Sequence, residues 1–314
     1  MSKKNIWCGW MVIVILFPFW FGGCSFSSHI DEIKEKAEKG DVKAQYKLGF
    51  FYKTGAYTEK DPLLAVKWLR RAAKQGSSKA QYHLGCMYES GDGIGKDYKE
   101  AIKWYLAAAE QGDPRAQGNL GLMYEKHMGV KQNYEEAAKW YLKAAELGNP
   151  MAQARLAAMY QGGCGVPLDL SEAAKWYQKA ADRCDAVAEY NLGEMYYQGE
   201  GMPQNLSEAA RWYERAAFQG IIQAVARLAP MYEKGSGVPQ SYIEAYKWYS
   251  ILIKNGQPEM INSQQAVAAL LTPEQIVEGK RLVKNYAPRK ELVGRWYVED
   301  EEGNIQPASQ LSKK

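Results

Sequence analysis

Trp68, Trp104, Trp140, Trp176, Trp212 and Trp248 stand 36 residues apart without a slip. A period of that length marks one supersecondary unit copied in series, which must stack on its neighbours to bury its apolar face. Other columns keep the same register. Ala44, Ala80, Ala116, Ala152, Ala188 and Ala224 each precede a small-residue step: Leu48-Gly49, Leu84-Gly85, Leu120-Gly121, Leu156-Ala157, Leu192-Gly193 and Leu228-Ala229. Then come Tyr52, Tyr88, Tyr124, Tyr160, Tyr196 and Tyr232, and the copies fill residues 41–256.

Inside one copy the apolar residues fall at helical spacing, Ala116, Leu120 and Tyr124, then Ala137, Trp140 and Ala144. The first helix, A, opens at Asp41, Ser77, Asp113, Asn149 or Asp185, all good N-caps, and only Ile221 breaks that column. The second, B, opens at Asp61, Asp97, Asn133, Asp169, Asn205 or Ser241. Glu100, Glu136, Glu172, Glu208 and Glu244 follow three residues on, giving five capping-box-like pairs, each cap contributing about 1 kcal/mol, and a weaker pairing with Lys103, Lys139, Lys175, Arg211 and Lys247 three residues further. Helix B stops at Gly76, Gly112, Gly148, Gly220 and Gly256, with Cys184 in that place once.

Each copy therefore reads as a helical hairpin closed by a Gly-rich turn such as Gly163-Cys164-Gly165-Val166-Pro167. The indoles and tyrosine rings are expected to fill the space between hairpins, and the Leu–Gly step to let two helices approach closely. Pro230, inside the last helix A, predicts a kink or an interruption costing about 3 kcal/mol.

The pattern A-x-x-x-L-G-x-x-Y, G-x-G-V, E-A-x-K-W-Y-x-K-A-A resembles the Sel-one-like repeat, a relative of the tetratricopeptide repeat with a longer turn. Gly163, Gly165, Val166, Glu172, Ala173, Lys175, Trp176, Tyr177, Lys179, Ala180 and Ala181 carry it in the fourth copy. The resemblance covers about two-thirds of the chain. It implies an all-α fold, a right-handed α-solenoid of six 36-residue helical hairpins with terminal capping helices. Three local departures stand out: Asp185 follows Cys184 rather than Gly, His127 replaces a turn glycine, and the first turn, Gly55-Ala56-Tyr57, lacks G-x-G.

Residues 25–40 read as an N-terminal linker and capping helix, Ile33 to Gly40 matching the end of helix B. Residues 257–288 read as two closing helices, the second with Thr272 as N-cap and Pro273 first. Arg295 to Val298 suits a short strand, within a polar tail, 289–314, otherwise expected to be mobile. Residues 1–24 have the layout of a secretory signal peptide: Lys3 and Lys4, an apolar stretch to Phe21, then Gly22-Gly23-Cys24-Ser25. That ending resembles a lipobox and implies lipidation at Cys24, with an outer-membrane lipoprotein facing the periplasm or the surface. Inner-membrane anchoring and secretion are the alternatives.

Forty basic and 36 acidic residues give a net charge of +4, with no nucleic-acid signature. Cys86, Cys164 and Cys184 remain outside the leader, an odd number that excludes a complete disulfide framework. His29, His83 and His127 make no metal-ligand spacing, and no cofactor motif is present. Secreted relatives described as penicillin-binding or weak β-lactamases prompt a search for S-x-x-K, which is absent. Lys53-Thr54-Gly55 does spell K-T-G, but at a predicted helix end. No catalytic constellation emerges.

What remains is surface. Beside the Ala–Leu–Tyr stripe, helix A carries Lys43, Lys47, Lys79, His83, Arg115, Asn119, Arg155, Asn191 and Arg227, interrupted by Glu89, Glu125 and Glu194. The resemblance places helix A on the concave side, so these residues are expected to line a groove for an extended or helical segment with acidic groups. The chain is thus expected to be a monomeric, non-catalytic interaction scaffold for a protein or peptide partner, attached to the membrane through its lipid anchor. A penicillin-binding or β-lactamase-like protein and a host-interaction factor are the alternatives.

Overall fold

The computed structural model describes residues 23–288 and two short strands, 297–299 and 305–307. The leader up to residue 22 and the rest of the tail lie outside the described residues. The described chain folds as fifteen α-helices with one two-stranded ribbon. In the ribbon, β1 (Tyr297–Glu299) pairs antiparallel with β2 (Ile305–Pro307), Val298 opposite Gln306. The described residues divide into two compact units, one up to Lys96 together with the ribbon strands and one from Asp97 to residue 288. The boundary falls inside the second copy.

The first unit holds α1 (Gly23–Glu38), α2 (Val42–Thr54), α3 (Pro62–Lys74) and α4 (Ser78–Ser90). Ile33 and Ala37 of α1 pack on Ala44, Leu48 and Trp68, so α1 covers the apolar side of the first hairpin as a half-hairpin would. It starts ten residues before the Ile33 expected from register. Asp41 accepts from the Ala44 N–H at 2.6 Å and fixes the start of α2.

The second unit runs α5 (Tyr98–Glu110), α6 (Pro114–Lys126), α7 (Tyr134–Glu146), α8 (Pro150–Gly162), α9 (Leu170–Ala181), α10 (Ala186–Gln198), α11 (Leu206–Phe218), α12 (Ile222–Lys234) and α13 (Tyr242–Lys254). A short 3-10 turn, Pro258–Met260, leads to α14 (Ile261–Ala268) and α15 (Pro273–Asn285). Each helix from α5 to α13 packs on its successor in sequence, the stacking order of a solenoid. At its end α15 lies on α13, where Gly279 abuts the Tyr246 ring. The Tyr286 hydroxyl there donates to the Ala217 carbonyl at 2.6 Å.

Three sequence expectations need correction. The B-helix caps form, Asn133 accepting from the Glu136 N–H at 3.0 Å, but Glu136 then pairs with Lys139 at 2.6 Å. Reciprocal capping boxes are therefore not what these glutamates make; Thr272 with Gln275 does form one. Secondly, α12 runs unbroken through Pro230. Thirdly, the tyrosine after the tryptophan, given no packing role from sequence, is buried within its own hairpin, Tyr141 against Gly121 and Tyr213 against Gly193. Tyr105, Tyr141, Tyr177 and Tyr213 are at most 1% exposed.

Trp68, Trp176, Trp212 and Trp248 are buried too, as expected of the indoles, whereas Trp104 and Trp140 are half-buried. The outer faces of the indoles lie under cations: Lys143 is 4.2 Å from the Trp140 centroid and Lys179 is 3.7 Å from that of Trp176. The small step is where it was expected to matter. A Cβ on Gly121 would meet the Tyr141 ring at 2.6 Å, and one on Gly193 the Tyr213 ring at 2.7 Å.

Candidate functional site: the helix A face

Two columns of helix A lie beside the core stripe. One reads Lys43, Lys79, Arg115, Met151, Val187, Gln223, and the other Lys47, His83, Asn119, Arg155, Asn191, Arg227. The predicted ladder treats them as one row of free polar groups. The structure separates them into three environments.

In the first unit, Lys43 is exposed, Lys47 and Lys79 are half-buried, and none of the three makes an ion pair with a described residue. They line an open groove of about 730 Å³ between α1, α2 and α4. The Lys79 ammonium lies 6.0 Å from the Tyr46 centroid, and Tyr46 is buried in the groove floor.

His83 is not a rung. It is buried, with ring centroids of Tyr82, Phe50 and Tyr46 at 5.0, 5.4 and 6.0 Å. The Lys53 ammonium stands 2.9 Å from Nδ1. An ammonium can only donate, so Nδ1 accepts and the ring proton sits on Nε2. The neighbouring K-T-G is a helix terminus, Gly55 closing α2 in the left-handed region at φ 74°.

In the second unit the cations are already engaged. Arg115 is buried and donates from Nη2 to Asp113 at 2.8 Å, clamping the cap of its own helix. Arg155 donates from Nη1 to Glu125 at 3.2 Å. Arg227 grips Glu194 with Nε and Nη2, at 2.7 and 2.8 Å, a two-bond fork. Two of the glutamates that interrupt the predicted ladder, Glu125 and Glu194, are thus the partners of Arg155 and Arg227. Burial opposes ionisation of Glu125, but Lys126, Tyr141 and Arg155 outweigh it and hold the carboxyl below the usual range. Glu194 is lowered likewise, Arg227 and Tyr213 overcoming its burial. Asn119 and Asn191 are half-buried, and the Tyr177 hydroxyl donates to Gln161 at 3.1 Å.

Sequence reasoning misses Met151, Val187 and Gln223, although the register that finds Lys43 finds them as well. Val187 is 52% exposed, so this column is basic in its first three copies, apolar in the next two and neutral polar in the last. It also misses a buried column, Gln45, Gln81, Gln117 and Gln153. Each donates to a carbonyl eight residues back, Gln117 to Ala109 at 3.1 Å and Gln153 to Ala145 at 3.0 Å. The 36-residue spacing of these glutamines was a readable signal. Cys24 lies in the first turn of α1, its side chain outside the described residues. Cys86, Cys164 and Cys184 are thiols. Among the described residues no helix is long and apolar enough to cross a membrane.

The sequence profile of the Sel1 repeat matches residues 42–77, 78–113, 114–149, 150–183, 186–220 and 222–257. A protective antigen of uropathogenic Escherichia coli strains, displaying an SLR fold, superposes with a TM-score of 0.73 at 37% identity. That match covers 81% of this chain and 56% of the antigen, so the chain spans just over half of it. A Sel1 repeat protein from Oxalobacter formigenes superposes with a TM-score of 0.62 at 33% identity, covering 72% of this chain and 99% of that one. The secretory immunoglobulin A-binding protein EsiB of Escherichia coli is 46% identical over 44 residues, 14% of this chain and 9% of EsiB.

Proposed function

The chain belongs to the Sel1 repeat family, whose members are generally protein-interaction scaffolds, and from that premise we propose that it holds a protein or peptide partner on its helix A face without catalysing a reaction. One observation carries the reading. The stacking columns repeat from copy to copy, Ala116 as Ala152 and Ala188, while Lys43, Lys79, Arg115, Met151, Val187 and Gln223 share a register and no common chemistry. A stack needs the first kind of column; selectivity for one partner needs the second.

The setting proposed is the bacterial envelope, with Cys24 lipidated in the outer membrane. The basic start, apolar stretch and Gly22-Gly23-Cys24-Ser25 support it. Metabolic labelling with an alkyne fatty acid is expected to mark the chain and to spare Cys24→Ala; equal labelling of both would remove the anchor. A host protein as partner is the second reading, favoured by the immunoglobulin A-binding named for EsiB.

Affinity capture with the full chain in detergent, from the organism's own envelope extract, tests the scaffold. A stoichiometric partner is expected. Covalent serine labelling by a fluorescent penicillin would overturn the non-catalytic reading.

A further inference from the structure

We propose that the groove between α1, α2 and α4 is the docking site for an extended partner segment bearing carboxylates at alternate positions; this rests on the scaffold reading above. Four lysines line the groove, Lys36, Lys43, Lys47 and Lys79, against two carboxylates, Glu32 and Asp41. Both carboxylates are engaged: Glu32 accepts from Lys36 at 2.6 Å, and Asp41 caps α2 through the Ala44 N–H. Among the described residues, Lys43, Lys47 and Lys79 have no anionic partner. Downstream, Arg115, Arg155 and Arg227 are each matched by Asp113, Glu125 and Glu194. Unmatched positive charge on this face is therefore concentrated at its first two copies.

Spacing narrows the ligand. Lys43 and Lys47 are one helical turn apart, a rise of about 6 Å. Two residues of an extended chain rise about 6.5 Å, so carboxylates at alternate positions meet both ammonium groups in step. Lys79 sits on the next helix A and lines the same groove. The N-termini of α2 and α4 both open into the groove, at Asp41 and Ser77, and add partial positive charge of the same sign. Tyr46 gives the segment an aromatic floor. Contacts of this exposed kind each change affinity by a factor of about 1.5 to 5 and weaken with salt.

The probe is a labelled dodecapeptide alternating Glu and Ser, with an isomer in which the same glutamates form one block. Binding to the full chain in detergent is read by fluorescence anisotropy at two salt concentrations. The alternating peptide is expected to bind more tightly than the block isomer and to weaken as salt rises. Lys43→Glu with Lys47→Glu and Lys79→Glu is expected to lose at least tenfold in affinity, and the Gln versions somewhat less. Arg227→Gln should change it less than twofold. Circular dichroism checks that helicity is kept.

Equal binding by wild type and the triple variant would overturn the assignment. So would tighter probe binding after Glu299, Asp300, Glu301 and Glu302 are changed to amides, because the occupant would then be the chain's own acidic run. Capture from envelope extract separates the two levels of failure. A partner held equally by wild type and the triple variant removes this site and keeps the scaffold, whereas no partner for either removes the scaffold itself.

Discussion

Gly165 abuts the backbone of Tyr134 so closely that a Cβ built on it would lie 2.3 Å from the Tyr134 carbonyl oxygen. Gly93 stands in the same relation to Pro62, Gly201 to Leu170 and Gly237 to Leu206, always the first residue of the preceding helix B. The second glycine of each turn is thus a spacer between one copy and the copy before it. The first copy has Tyr57 at that register, and no helix B of a full copy precedes it.

Gly165→Ala meets two penalties at once, a backbone at φ +74° and a carbonyl in the way. The left-handed conformation costs about 1–2 kcal/mol and overpacking about 1–3 kcal/mol, so a loss of about 3 kcal/mol is expected. Gly95 has open space around its Cβ position and serves as control. Urea denaturation should show G165A strongly destabilised and G95A within about 0.5 kcal/mol of wild type.

Cys184 and His127 occupy left-handed backbone at φ 63° and 58°, where other copies use glycine. His127 recovers part of that strain, its Nδ1 accepting from the Gln132 N–H at 3.1 Å. Cys184→Gly and His127→Gly are each expected to stabilise by up to about 1 kcal/mol through relief of that backbone strain. Their melting temperatures against wild type check this.

The buried glutamine column ends at Glu189, which cannot donate to the Ala181 carbonyl as Gln153 does to Ala145. Arg215 makes that bond instead, at 3.0 Å, and also pairs with Glu189 at 2.7 Å. Burial outweighs Arg215 and Gln219 and pushes the Glu189 carboxyl up to about 7; burial likewise raises Asp185 to about 6. The folded state therefore holds these protons more tightly than the unfolded state. Their contribution to stability is complete below about pH 4 and is lost as pH rises through 6 to 7. For Glu189 the loss is on the order of 3 kcal/mol. Melting temperature should fall between pH 5 and pH 8, and Glu189→Gln should flatten most of that fall.

Removing Arg227 leaves Glu194 without its fork but still accepting from Tyr213 at 2.7 Å. A double-mutant cycle between Arg227→Ala and Glu194→Ala should give about 1 kcal/mol of coupling, because the pair is half-exposed. The Lys47→Ala and Glu194→Ala cycle should give none.

The repeat, its hairpins and its caps were legible because each is local: Asp169 caps a helix three residues away, and Gly163 closes one just ended. The balance between Trp140 and Tyr141 was harder to read. Both lie on the apolar side of α7, but Ala137, Tyr141 and Ala144 mark its centre, and size alone favours the indole. The face was half legible. Its residue types could be read, but Arg155 meets Glu125 thirty residues away only because one copy stacks on the next. Which cations stay unmatched depends on that stacking.

Lysine-reactive cross-linking of the full chain to its captured envelope partner, read by mass spectrometry, tests the central claim most directly. Partner cross-links are expected from Lys43, Lys47 and Lys79 on the helix A face. Cross-links confined to Lys103, Lys139 and Lys175, exposed on helix B, would contradict it.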